Sequence, residues 1–204
     1  EKMSKSVGNV KSVNHVLESW GPNVIRLFCI SGHYSKPIDY TEDLLKENLI
    51  RLRQIETCYY ELRLADKTEE LEDISSLLKE SREKFDAALN DDFNTSLGLS
   101  VFFNMIKTIN SLASDEKISK NISEQALPVL EYMLEVLGLK VQTVSDDEIK
   151  TIFDLIDKRE KLRDEKKFEE ADKIRDRIAS LGISLIDHKN KTLWMKKEPI
   201  KAEK

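Results

Sequence analysis

Near one end of the chain two lysines alternate with small hydroxyl residues in Lys2-Met3-Ser4-Lys5-Ser6, and Val7-Gly8-Asn9 follows. Such a run can wrap a triphosphate. Ammonium groups neutralise phosphate oxygens, hydroxyls and backbone N–H groups bond them, and the glycine lets the backbone turn. Other residue types that often carry chemistry are poorly arranged. His15, His33 and His188 lie far apart, and none stands at metal-ligand spacing from Cys29 or Cys58. Asp91, Asp92 and Asn94 have no further acidic ligands at calcium-loop spacing, so a cap and domain-joint role is expected for them. No metal site is expected in this chain. Cys29 and Cys58 sit in apolar helical patterns and read as buried free thiols rather than a disulfide.

The elements that must position this chemistry are mostly helical. Hydrophobic residues make up 40% and charged residues 35% of 204 positions, with 6 Gly and 4 Pro, a mix that suits helices with charge-laced surfaces. No apolar run approaches the roughly 18 residues needed to cross a bilayer, so no membrane partner is expected. The net charge of −5 is uneven: residues 158–204 hold 15 Lys+Arg against 10 Asp+Glu, leaving 18 against 28 in residues 1–157. A basic end on an acidic body fits a protein that touches nucleic acid, and fits equally a solvated helix of mixed charge.

Ser12 can cap a short helix to Trp20, and Pro22 opens a second, apolar one over Val24 to Ile30. Thr41-Glu42-Asp43 caps a long helix carrying Leu44, Leu45, Leu49, Leu52, Ile55, Tyr59 and Leu62 at a period of 3.6. Further helices are expected over about 69 to 89, from Leu97 to Leu112, and from Ser123-Glu124-Gln125 to a terminating Gly138. Residues 41–139 thus read as an antiparallel helix bundle. After a linker, Asp146 or Asp147 caps a helix to about Lys166, and Phe168 to Ser180 forms another. Ile183–Asp187 and Thr192–Met195 read as a β-hairpin, with Trp194 in its core. This small α+β unit, over 146–197, is expected to be distinct from the bundle. Lys197 to Lys204 is expected to fray.

Lys2–Ser6 spells the KMSKS loop of class I aminoacyl-tRNA synthetases. Three further stretches narrow the resemblance. Ser31-Gly32-His33-Tyr34 with Pro37, Asp39 and Tyr40 resembles the segment that follows this loop in cysteinyl-tRNA synthetases. Asp91-Asp92-Phe93-Asn94-Thr95 is similar to a motif of that family's helical bundle. The run from Lys167 to Asp176, then Leu181-Gly182-Ile183, Asp187 and Thr192-Leu193-Trp194, resembles its anticodon-recognition unit.

The resemblance implies a mainly α chain of the class I anticodon-binding type, in which residues 1–40 carry the loop and a stem-contact region. The partner would be tRNA(Cys), with the anticodon GCA read from about residue 146 onward. Lys2, Ser4, Lys5 and Ser6 would contact ATP, used with Mg2+, and Lys5 would stabilise the transition state of cysteine activation. Arg163, Phe168, Asp172, Arg175 and Asp187 would contact the anticodon: Phe168 by stacking, and the aspartates by accepting from base N–H groups. Phe168 could instead pack on Trp194, and Arg163, Asp172 and Arg175 could form salt bridges along the helices.

The family's HIGH-type motif and its substrate-selecting zinc site do not occur in these 204 residues. Zinc is therefore expected only in a catalytic domain outside this chain, through which ATP and cysteine would be bound. With Glu1 in place of an initiator Met, the chain reads as a piece or processed product, inactive alone, from a cytoplasmic, monomeric enzyme. Two other readings stay open. One is a related ligase joining cysteine to an amino-sugar acceptor, against which residues 160–195 argue. The other is a non-catalytic RNA-binding or scaffold module that retains the loop.

Overall fold

The Ser12 hydroxyl accepts from the His15 amide and starts α1 (Val13–Ser31). A computed structural model gives the arrangement that follows, and it describes residues 11–68, 72–187 and 192–203. Gly21 breaks α1 with φ 75° and ψ 163°, a conformation suited to glycine, and Pro22 restarts the helix. The two expected helices therefore exist as halves of one kinked element. Thr41 caps α2 (Glu42–Arg63), whose side chains Leu45, Leu52, Ile55, Cys58 and Leu62 are fully buried. Then come α3 (Ser75–Asn90), α4 (Thr95–Ser114) and α5 (Lys120–Leu137). Within the bundle α2 touches α1, α4 and α5, and α3 lies against α4 and α5.

Several boundaries differ from those read in the sequence, each for a local reason. Residues 72–74 are not helical and α3 begins at Ser75. Ser119, not Ser123, caps α5 by accepting from the Ile122 amide; the Ser123 hydroxyl instead donates 2.7 Å to the Leu62 carbonyl on α2. Ser145, not Asp146 or Asp147, caps α6 (Asp146–Asp164), in a capping box closed by Glu148.

The C-terminal unit comprises α6, α7 (Phe168–Ser180), β1 (Ile183–Asp187) and β2 (Thr192–Lys196), with the strands antiparallel and Leu185 opposite Trp194. Its core is not separate from the bundle. Trp194 is fully buried and its ring lies 5.3 Å from Tyr60 of α2 and 6.2 Å from Phe153 of α6. Ile152, Leu155, Ile178 and Ile183 join the same continuous hydrophobic cluster as the bundle residues. The Tyr60 hydroxyl donates 2.7 Å to the Gln142 carbonyl, and burial pushes its phenol up to about 12.

Of the stretch expected to fray, the described residues 197–203 are anchored instead. Glu198 and Ile200 are 5% and 4% exposed, and the tail reaches α1 through a 3-10 turn at Lys201–Glu203. The sequence reading fails here because one isoleucine and one carboxylate suffice when a distant kink receives them. Cys29 is likewise not buried: it lies exposed on α1, while Cys58 is buried and its thiol is pushed up by desolvation. Among the described residues no helix is long and apolar enough to cross a membrane.

Candidate nucleic-acid interface

The turn between α6 and α7 is built by a backbone device. At the end of α6 the Lys166 amide donates to the Arg163 carbonyl at 2.9 Å, and the Lys167 amide to the Leu162 carbonyl at 2.8 Å. This is the paired closure of a Schellman motif, with Lys166 at φ 60° where glycine is usual. The same closure ends α5, where Gly138 supplies the left-handed residue at φ 67°. A lysine there costs on the order of 1 kcal/mol. The turn reverses the chain so that α7 starts at Phe168, directly beside the last turn of α6, which carries Arg163.

Phe168 is 59% exposed, an unusual position for a phenylalanine ring in a helix whose packed positions are Ala171, Ile174 and Ile178. Asp172 and Arg175 follow it at i+4 and i+7 and are also exposed. At 100° per residue these three form one stripe, roughly a quarter turn round α7 from the packed face. Arg163 is exposed and engaged in an interaction within the chain. Asp187 ends β1 opposite Thr192, and its side chain and residues 188–191 lie outside the described residues. The structure thus brings Phe168, Asp172 and Arg175 onto one stripe beside the turn that holds Arg163. Trp194 does not receive Phe168, since Tyr60 and Phe153 flank it instead.

The surroundings of the stripe are charged but shallow. Lys167 pairs with Glu165 at 2.7 Å, a bond that holds the glutamate below its ordinary range and the lysine above it. Glu169 and Glu170 occupy the first turn of α7, where the helix dipole favours anions. A stacking ring, a carboxylate and a guanidinium exposed on one helical stripe can face an unpaired base and its phosphate.

A second constellation joins two segments that the sequence singled out separately. The His33 and Tyr34 rings stack at 4.7 Å. The Tyr34 hydroxyl donates 2.7 Å to Asp92, and His33 Nε2 lies 3.8 Å from the same carboxylate. The Thr95 hydroxyl reaches the Gly32 carbonyl at 3.4 Å. Asn94 caps α4 by accepting from the Leu97 amide, while Asp92 and Phe93 both adopt φ 50°. The cap and joint role expected of this motif is therefore what it performs. Its specific partner, His33-Tyr34, was not visible from spacing along the chain.

The pentad Lys2–Ser6, including Lys5, lies outside the described residues. The first described residue, Lys11, pairs with Glu42 at the start of α2 and sits 5.8 Å from the Tyr40 ring. No three His, Cys, Asp or Glu side chains converge among the described residues, so these do not fit a zinc ion.

Comparison with known proteins matches two family models. Residues 84–142, from α3 through α5, match the DALR domain. Residues 1–49, ending within α2, match the class I (C) tRNA synthetase catalytic domain. Proteins described as cysteine–tRNA ligases align along most of the chain. That of Finegoldia magna is 37% identical over 195 residues, covering 95% of this chain and 42% of the relative. That of Thermococcus onnurineus is 36% identical over 208 residues, covering 95% and 44%. That of Caldicellulosiruptor saccharolyticus is 34% identical over 194 residues, covering 92% and 41%. The chain spans about two fifths of the length of these curated relatives.

Proposed function

The chain belongs to the class I cysteine–tRNA ligase family and corresponds to its C-terminal portion, and from that premise we propose that it holds tRNA(Cys) and reads its anticodon. The observation that carries this reading is the exposed stripe of Phe168, Asp172 and Arg175 beside Arg163. Phe168 offers a stacking face to one anticodon base, a contact worth about 1 to 3 kcal/mol. Asp172 accepts from the N1–H and N2–H of the guanine, and Asp187 accepts from the exocyclic amino group of a second base. Neither carboxylate can attract a polyanion. That attraction comes from the basic surplus after residue 157, with Arg175 on the stripe and Arg163 beside it.

In the same reading, Lys2–Ser6 serves the chemical step of the whole enzyme. When cysteine's carboxylate attacks the α-phosphate of ATP and pyrophosphate leaves, negative charge builds on the phosphate oxygens. The Lys5 ammonium stabilises that charge more in the transition state than in the ground state. Lys2, Ser4 and Ser6 hold the phosphates beside it. Mg2+ accompanies the ATP as part of the substrate. Zinc, the family's substrate-selecting ion, finds no donor set among the described residues, and no step runs through it here.

Filter binding of the chain to tRNA(Cys), and to the same tRNA with an altered anticodon, tests the reading. Binding of the natural anticodon that is at least about fivefold tighter, since a wrong base costs about 1 to 3 kcal/mol, supports it. Uniform, weak binding instead marks a non-specific RNA module.

A further inference from the structure

The segment after β2 is held to α1 and α2 by buried polar contacts. The Lys197 amide donates to the Gly182 carbonyl at 3.3 Å, tying the tail to the turn that follows α7. One residue later the Glu198 amide donates 2.9 Å to Glu56 of α2. Arg53, also on α2, donates 2.9 Å to the Glu198 carbonyl and 2.6 Å to the Glu56 carboxylate. The Glu198 carboxylate accepts from Asn23 of α1, whose amide group also grips residue 140 through both its oxygen and its nitrogen.

Gly21 explains how the carboxylate fits. A Cβ on Gly21 would lie 2.2 Å from Glu198 Oε1 and 2.7 Å from Ile200 Cδ1, so the kink in α1 is a socket for the tail. Ala202 then joins Lys11, His15, Trp20 and Tyr40 around a small hollow. The five residue-to-residue steps from Lys197 to Ala202 can span at most about 17 Å. Within that reach they connect the far end of α7 to the first turns of α1, which lie in the stretch matching the catalytic-domain model.

We propose that residues 197–203 form a strap that carries the state of the α7 face to α1, with Glu198 as its positioning residue. The inference rests on the anticodon reading for what occupies α7. Its physical content is continuity: α7, Gly182, Lys197, Glu198 and Asn23 form an unbroken series of backbone and hydrogen-bonded links. Packed, hydrogen-bonded links of this kind can carry coupling between two sites, and the unpartnered atom in the series is Glu198 Oε1. The beneficiary is the segment that leads back towards Lys5. Nothing in the strap touches the reacting atoms, so its part is positional.

Hydrogen exchange on the intact chain tests this, using a short RNA stem-loop with a GCA loop that is too small to reach α1. In the intact chain, binding should slow exchange of the amides of residues 13–24 at least about fivefold, because they close a local opening unit with the tail. In Glu198→Ala, and in a chain ending at Lys196, the stem-loop should bind within about twofold of the intact affinity. In both variants the slowing over 13–24 should vanish. Glu198→Gln, which keeps the oxygen facing Asn23, should restore most of it. Slowing that persists in both variants, or is absent from the intact chain with the stem-loop bound, overturns the strap. A stem-loop whose binding ignores its anticodon overturns the anticodon reading instead. Should the shortened chain fail to fold, Glu198→Ala and Glu198→Gln decide the outcome alone.

Discussion

Carboxylates meet opposite fates in two parts of this molecule. On α7, Asp172 stands in solvent on a stripe with Phe168 and Arg175, and the helix would pack equally well without it. Between α1, α2 and the tail, Glu56 and Glu198 are 1% and 5% exposed, and each is locked to side chains or backbone from other elements. Burial raises both carboxyls above their ordinary range, chiefly by desolvation, against the pull of Arg53 and Asn23. The contrast separates groups left available for a partner from groups already used by the fold. Charge alone did not distinguish them.

Substitutions should divide along this line. The largest effect is expected for Glu56→Ala, which removes the partner of Arg53 and of the Glu198 amide together. Breaking a buried pair of this kind costs about 3 kcal/mol, to be read as a lower midpoint in urea unfolding. Next, Phe168→Ala should weaken tRNA(Cys) binding by about 1 to 3 kcal/mol. Its unfolding midpoint should stay put, because an exposed side chain changes stability by about 0.5 kcal/mol at most. A matching loss of stability would erase the distinction between the two regions.

Smaller again is Ser145→Ala, which breaks the capping box of α6 and should cost about 1 kcal/mol of stability. It should leave anticodon discrimination intact, because the cap lies at the opposite end of α6 from Arg163.

The smallest effect sharpens the contrast through pH. A carboxyl raised on folding holds its proton more tightly in the native chain than in the unfolded one. Its contribution is therefore present in acid and lost as pH rises through the native value. Exposed Glu148, lowered chiefly by the Ser145 amide, works in the opposite sense and loses its contribution as pH falls. Around Glu198 the facing charged groups are Arg53 and Glu56, and its Oε1 has no hydrogen-bond partner. Glu198→Gln cannot ionise, so its urea midpoint relative to the parent should rise as pH climbs above the ordinary carboxylate value of 4.5. A constant difference above that value would show that Glu198 does not titrate with folding.

Much of the bundle was legible because its signals are local. Leu45, Leu49, Leu52 and Ile55 repeat at helical spacing, Thr41 and Gly138 punctuate, and all of them act where the period says they should. Phe168, Asp172 and Arg175 were singled out by the family resemblance, and their i, i+4 and i+7 spacing places them on one stripe once the helix forms. What was not legible depends on partners far away in the chain. Ser123 reads as a cap in sequence, but its hydroxyl donates to the Leu62 carbonyl of α2 and Ser119 caps the helix instead. Cys29 fits an apolar pattern but falls on the open side of α1. Glu198 reads as a solvated charge until Asn23, Arg53 and Glu56 surround it. The pentad at residues 2–6 remains a sequence argument, because it lies outside the described residues.

The kink at Gly21 has one more consequence, for how such chains can diverge. A residue without a side chain near one end and a carboxylate near the other occupy a single packing volume. Neither position is therefore free to drift alone. A side chain at position 21 meets both the left-handed backbone and the volume held by Glu198, so it requires the kink itself to change as well as the tail to give way. Positions 21 and 198, far apart in sequence, thus constrain one another.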